Sequence, residues 1–212
     1  GSDRRDRSGL SILVVFPNEE LGPASLMEVA IRNYFFPVLT KKLTLEIDGE
    51  RLDHGSIRSL NKKYVAHKNP DIEKLFDFIE SCHKFDSRDF VTAKPDWRND
   101  GKVLEDDFKP EDLERLRQKF DKQELVAVRF PVDIVLKDGQ KQDSHFDAFL
   151  KAEDGISEGR DLYVRGGITV PAERKFGDRR SFGVLVAADA PISGFLGDAE
   201  NAAHTRWNSR AE

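Results

Sequence analysis

One cysteine and one methionine are all the sulfur this chain of 212 residues carries. A single thiol, Cys82, can neither close an internal disulfide nor build a multi-thiolate zinc site, so neither device is expected to hold the fold. No apolar run approaches the roughly 20 residues a membrane helix needs, and no secretory signal opens the sequence. A cytoplasmic chain with no membrane attachment is the expectation. No G-x-x-x-x-G-K-[ST] phosphate loop and no G-x-G-x-x-G turn are present. Basic charge is not in excess either. With 34 Lys and Arg against 39 Asp and Glu, the net charge is −5, so any contact with nucleic acid must be local.

What is present is sufficient for a folded core. Hydrophobic residues make up 38% of the chain and include 15 Phe, while a mean hydropathy of −0.57 keeps the remainder in water. Gly1-Ser2 resembles the scar of a removed tag, and residues 1–8 read as that scar plus a flexible terminus. Leu10, Ile12, Val14 and Phe16 alternate and predict a strand ended by Pro17. Gly22-Pro23 opens a helix, with Met27, Ala30, Ile31, Tyr34 and Val38 on one face and Pro37 at its end. Leu43 to Ile47, the Asp48-Gly49 turn and Glu50 to Leu52 predict a hairpin. Residues 9–54 therefore read as a β-α-β-β element.

Residues 55–122 read as helical. Ser56 to Ala66 is a weak helix, and Ile72, Leu75, Phe76, Ile79 and His83 mark a stronger one. Residues 86–109 are polar and predict a loop or excursion. Pro110 begins a helix whose narrow buried stripe is expected to be Leu113, Leu116 and Phe120. Residues 123–212 are sheet-like. Val126, Val128, Phe130, Val132, Ile134 and Leu136 alternate, Asp138-Gly139 turns the chain, and Phe146, Ala148 and Leu150 return. Leu162, Val164 and Ile168 predict a third strand, Phe182 to Ala187 a fourth, and Pro191 starts a short helix. The fold class is α+β, two layers, with helices on one face of a mixed or antiparallel sheet.

Asp143, His145 and Asp147 share one face of a strand, a pattern suited to a metal or to acid–base chemistry in a free-standing enzyme. The competing reading is the wet side of an amphipathic strand. A PD-(D/E)xK nuclease, from Asp133 and the Asp147 to Lys151 stretch, is disfavoured because Phe149 stands where an acid is needed. No metal ligands are assigned. Tyr163 and Arg165 project together from the third strand, and Gly166-Gly167 suggests a bulge or a close backbone approach. Arg174, Lys175, Arg179 and Arg180, in one loop and partly offset by Glu173 and Asp178, are candidates for a weak, salt-sensitive contact with nucleic acid, which would make the chain a free-standing DNA-binding α+β module.

Two stretches carry a resemblance. One is Ser8-Gly9-Leu10 to Asn18-Glu19; the other is Arg160 to Thr169, followed by Asp198-Ala199-Glu200-Asn201 and His204-Thr205-Arg206-Trp207. Together they resemble the region that follows the nucleotide-binding domain in bacterial ATPases of the gyrase, MutL and histidine-kinase-like (GHKL) superfamily, MutL- and MORC-like members above all. The likeness spans residues 8–54 and 142–207. It implies a transducer with a split β-α-β element and an upstream ATPase domain holding Mg-ATP. It also implies that ATP closes a homodimer and that closure is coupled to DNA or to an effector. The family's magnesium-holding asparagine, its adenine-binding D-x-G-x-G turn and its glycine-rich lid are not found in order, so this chain is expected to hold no cofactor itself. In such transducers a lysine reaches back to the terminal phosphate, and the loop Pro171 to Arg180 suits that role, with Lys175 and Arg174 as candidates. His204 to Trp207 also has a purely structural reading, a C-terminal segment pinned to the sheet by Trp207.

Overall fold

The computed structural model describes residues 9–10, 12, 21–97, 102–136, 138–170, 176, 179–201 and 206–207. Among them are five helices and eight strands: α1 Pro23–Leu39, β1 Leu45–Ile47, β2 Glu50–Leu52, α2 Ile57–Tyr64, α3 Ile72–His83, β3 Val91–Thr92, α4 Pro110–Asp121, β4 Val126–Val135, β5 Lys141–Ala152, β6 Arg160–Arg165, β7 Ile168–Thr169, β8 Ser181–Ala187 and α5 Ala190–Asp198. The class is α+β with a mixed sheet. Six strands form the main sheet in the order β3-β4-β5-β8-β6-β7, and β1-β2 is a separate hairpin. β3 runs parallel to β4 and β6 parallel to β8; the β4-β5, β5-β8 and β6-β7 pairs are antiparallel.

Alternation along the strands sends apolar groups to both faces of the sheet. Ala127, Phe149, Val164, Phe182 and Val184 face α1, α2 and α3 and form the principal core with Met27, Ile31, Phe35, Leu75 and Phe76. Ring pairs tie the layers: Phe35–Phe76 at 5.6 Å between α1 and α3, and Phe78–Phe182 at 5.7 Å between α3 and the sheet. On the reverse face, α4 covers Val128, Phe146 and Ala148, and α5 packs Ile192 and Leu196 near Ile134, Leu185 and Ala187. Helices thus lie on both faces, not on one. The physical reason is that β4 carries its alternating apolar set toward the α4–α5 side, while β5, β6 and β8 send Phe149, Val164 and Val184 the other way. A sheet apolar on both faces needs two covers.

Several local expectations are corrected. Leu10 and Ile12 belong to no strand and are each 81% exposed; Val14 and Phe16 lie outside the described residues. Tyr34 is exposed, and Phe35 takes the buried place on α1. His83 is exposed at the end of α3, whose buried set is completed by Phe78 and Cys82. Residues 86–109 are not only a loop: they supply β3 and a 3-10 turn at Glu105–Asp107, and Trp97 packs onto Phe130 at 5.1 Å while donating to the Pro131 carbonyl at 2.8 Å. Pro131 is tolerated because it lies past the β3 pairing, where β4 has a neighbour on one side only. Ile168 sits on β7, not on the strand of Leu162 and Val164. Gly166 and Gly167, with φ of 56° and 95°, make the two-residue turn of the β6-β7 hairpin rather than a bulge. Among the described residues no helix is long and apolar enough to cross a membrane.

Candidate functional site

The long β4-β5 hairpin fixes the acidic face. Asp143, His145 and Asp147 do lie on one side of β5, opposite Asp133, Pro131 and Arg129. They do not converge. Arg129 clamps Asp147 with two parallel hydrogen bonds, Nε to Oδ1 at 2.8 Å and Nη2 to Oδ2 at 2.9 Å, and lies over the Phe90 ring at 4.8 Å. That carboxylate holds the Arg129 guanidinium above its ordinary pKa. Among the described residues no three His, Cys, Asp or Glu side chains gather where they could hold a metal. The same side of β5 continues into Phe149, buried between Phe85 and Phe90, so the face is only partly wet. Cys82 is buried in the core, and its burial pushes the thiol pKa far up.

Tyr163 and Arg165 share the α5 face of β6, as the strand period requires. Both are engaged with the C-terminal segment. Arg165 forms a bidentate ion pair with Glu200, with Nη2 to Oε2 at 3.0 Å, and the Glu200 side chain is 2% exposed. The Trp207 ring meets Tyr163 edge-on at 6.1 Å, and Glu200 and Trp207 pair as an antiparallel bridge. These contacts pin the segment to the sheet. His204 and Thr205 lie outside the described residues.

Arg174 and Lys175 also lie outside the described residues. Arg179 and Arg180, on the return into β8, are exposed and stand at the mouth of a cleft of about 740 Å³. Its floor is Val126 and Val128 of β4 and Leu150 of β5, with Phe176 at one end, and Leu116 and Phe120 of α4 form its wall. The cleft exists because the stripe on α4 is too narrow to close over the sheet: no residue of α4 is fully buried. Phe176 lies directly on β8 at Gly183, where a Cβ would come within 2.6 Å of its ring. Arg117, also at the mouth, is ion-paired to Glu105; among the described residues of the lining, Asp121 is the one acidic side chain. Sequence reasoning nominated Arg179 and Arg180 but missed Arg117, Leu116, Phe120 and Phe176 as parts of one cleft. The narrowness of the α4 stripe was the available signal. A second cleft of about 360 Å³ lies between α1 and β6, lined in part by Arg32, Asn33, Asn69 and Thr169.

No protein-family model, curated protein or solved structure matches the chain.

Proposed function

We propose that this chain is the non-catalytic transducer region of a bacterial, cytoplasmic GHKL-type ATPase, coupling Mg-ATP in an upstream domain to closure of a homodimer and to engagement of DNA or an effector. One observation carries the reading. The two sequence blocks that resemble such transducers pack together as one unit: α1, from the first block, lies on β6, β7 and β8, from the second. They share Met27, Ile31 and Phe35 with Val164, Phe182 and Val184 in one core, and Thr169 Oγ1 donates to the Asn33 carbonyl at 3.2 Å. A coincidental likeness of two segments separated by residues 55–141 would not require them to be neighbours.

In this reading Lys175 or Arg174 neutralises the terminal phosphate held by the upstream domain. The expected outcome is that Lys175→Ala in the full-length ATPase lowers kcat about tenfold or more, roughly 1.4 kcal/mol of transition-state stabilisation. The isolated chain should give no heat of binding with Mg-ATP. ATP hydrolysis by the isolated chain, or a native gene without an ATPase domain upstream, would overturn the proposal.

A second reading rests on the exposed Arg179 and Arg180 beside Arg117: local contact with nucleic acid. Two phosphate contacts would give a slope of log K against log salt of about −2 on duplex DNA, read by fluorescence anisotropy. The Asp143, His145 and Asp147 enzyme reading gains nothing from the geometry, since its three groups stay apart.

A further inference from the structure

The α4 cleft combines two properties that a phosphate-backbone surface does not need. Its floor and wall are apolar, built from Val126, Val128, Leu150, Leu116 and Phe120, and its mouth is ringed by Arg117, Arg179 and Arg180. Arg117 has Glu105 as a partner, whereas Arg179 and Arg180 carry no ion pair among the described residues and project from the backbone entering β8. Among the described residues of the lining, Asp121 is the acidic one. A phosphodiester could meet these arginines but would leave the wedge behind them empty. A neutral apolar molecule would fill the wedge but make no use of the cations.

We infer that this cleft binds a small amphipathic anion, an apolar chain or ring system bearing one carboxylate or phosphate, with the body between α4 and β4-β5 and the head on Arg179 and Arg180. The cleft volume lies within the range of about 300–1,000 Å³ usual for small-molecule sites. Its lining also has their usual composition, mostly hydrophobic with a few placed polar groups. Guanidinium is suited to the head because its planar fork meets a carboxylate or phosphate with two parallel hydrogen bonds and is less strongly hydrated than ammonium. The body is selected by the unfinished packing of α4, whose Leu116 and Phe120 are only half covered by the sheet. The inference does not depend on the transducer reading, because its experiment contains no nucleotide.

Dodecanoate is the probe, titrated calorimetrically below its micellar range into the whole chain, alongside dodecan-1-ol and inorganic phosphate. One dodecanoate per chain is expected to bind saturably, and inorganic phosphate alone should give no heat. The double variant Arg179→Ala/Arg180→Ala is expected to weaken dodecanoate at least tenfold, leaving the weaker binding of dodecan-1-ol and the melting temperature unchanged. Leu116→Trp, which fills the wedge, should abolish binding of both chains. If that variant fails to fold, the arginine pair decides alone, since both positions are exposed. No saturable uptake of dodecanoate, or uptake that the double arginine variant leaves unaltered, would overturn the inference.

Discussion

Gly159 stands where backbone from another part of the chain leaves no room for a side chain. A Cβ placed there would lie 1.8 Å from the Arg179 carbonyl oxygen, which accepts from the Ser181 backbone N–H at 3.0 Å, and 2.9 Å from the carbonyl oxygen of Ser181 at the start of β8. Gly159→Ala is therefore expected to cost about 3 kcal/mol, the upper part of the usual range for overpacking, because no flexible side chain can yield. Chemical denaturation checks this, and a loss under about 0.5 kcal/mol would mean the backbone at residue 179 can shift. The same substitution would displace Arg179 from the cleft mouth. Arg165 is a second position where one residue does structural work. Its guanidinium compensates a Glu200 carboxylate that is almost fully removed from water, so its partner is fixed by burial rather than by any ligand. Asn61 is a third: fully buried on α2, it donates to Glu73 at 2.5 Å, while Arg58 holds the other Glu73 oxygen at 2.8 Å.

At the scale of elements, β3 pairs through two residues only, so aromatic packing adds to the few hydrogen bonds, such as Ala93 N–H to the Arg129 carbonyl at 2.9 Å, that hold it and the segment after it. Phe130 stacks on Phe146 at 5.0 Å and takes the edges of Trp97 and Phe108 at 5.1 and 6.3 Å. Phe130→Ala should destabilise by about 3–5 kcal/mol through the cavity it leaves, and Trp97 fluorescence should shift to the red as its apolar neighbour is lost. A smaller loss with unchanged emission would show that this cluster is not what fastens β3. The helix α4 was legible from Pro110, its acidic first turn and its stripe of Leu113, Leu116 and Phe120. Its failure to close over the sheet was not, because closure depends on how far Phe176 and β4 stand from it, and those residues come from other parts of the chain. On α1, periodicity placed Tyr34 inside, yet Phe35 meets Phe76 there. The helix is rolled by its contacts with α2 and α3, which the local period does not contain.

For the whole molecule, acid stability follows from carboxylates that join distant elements. Glu28 accepts from Lys68 at 2.6 Å, Glu50 from the Tyr64 hydroxyl at 2.6 Å, and Asp71 from the Ser157 backbone N–H at 3.0 Å. Each is held below its ordinary pKa, chiefly by the Lys68 bond for Glu28, the Tyr64 bond for Glu50 and the Ser157 backbone bond for Asp71. A carboxyl whose folded pKa is depressed stabilises fully above its unfolded pKa, near 4, and loses that contribution as pH falls through the folded value. The melting temperature should therefore be level from pH 7 to about 5 and drop below about pH 4, and Asp71→Asn should flatten part of that drop. A melting temperature unchanged down to pH 3 would show that these pairs are too well solvated to matter.

The sequence by itself determined the α+β class, the long β4-β5 hairpin with its turn at Asp138-Gly139, and the starts of α1 and α4. These follow from periods, prolines and glycines acting within a few residues of one another. Tertiary structure alone decided that helices cover both faces, that Asp147 belongs to Arg129, that Arg165 belongs to Glu200, and that Arg117 joins Arg179 and Arg180 around one cleft. Each of those outcomes depends on which strands become neighbours. Strand order is set by the net burial of many weak contacts across the whole chain, which no local pattern records.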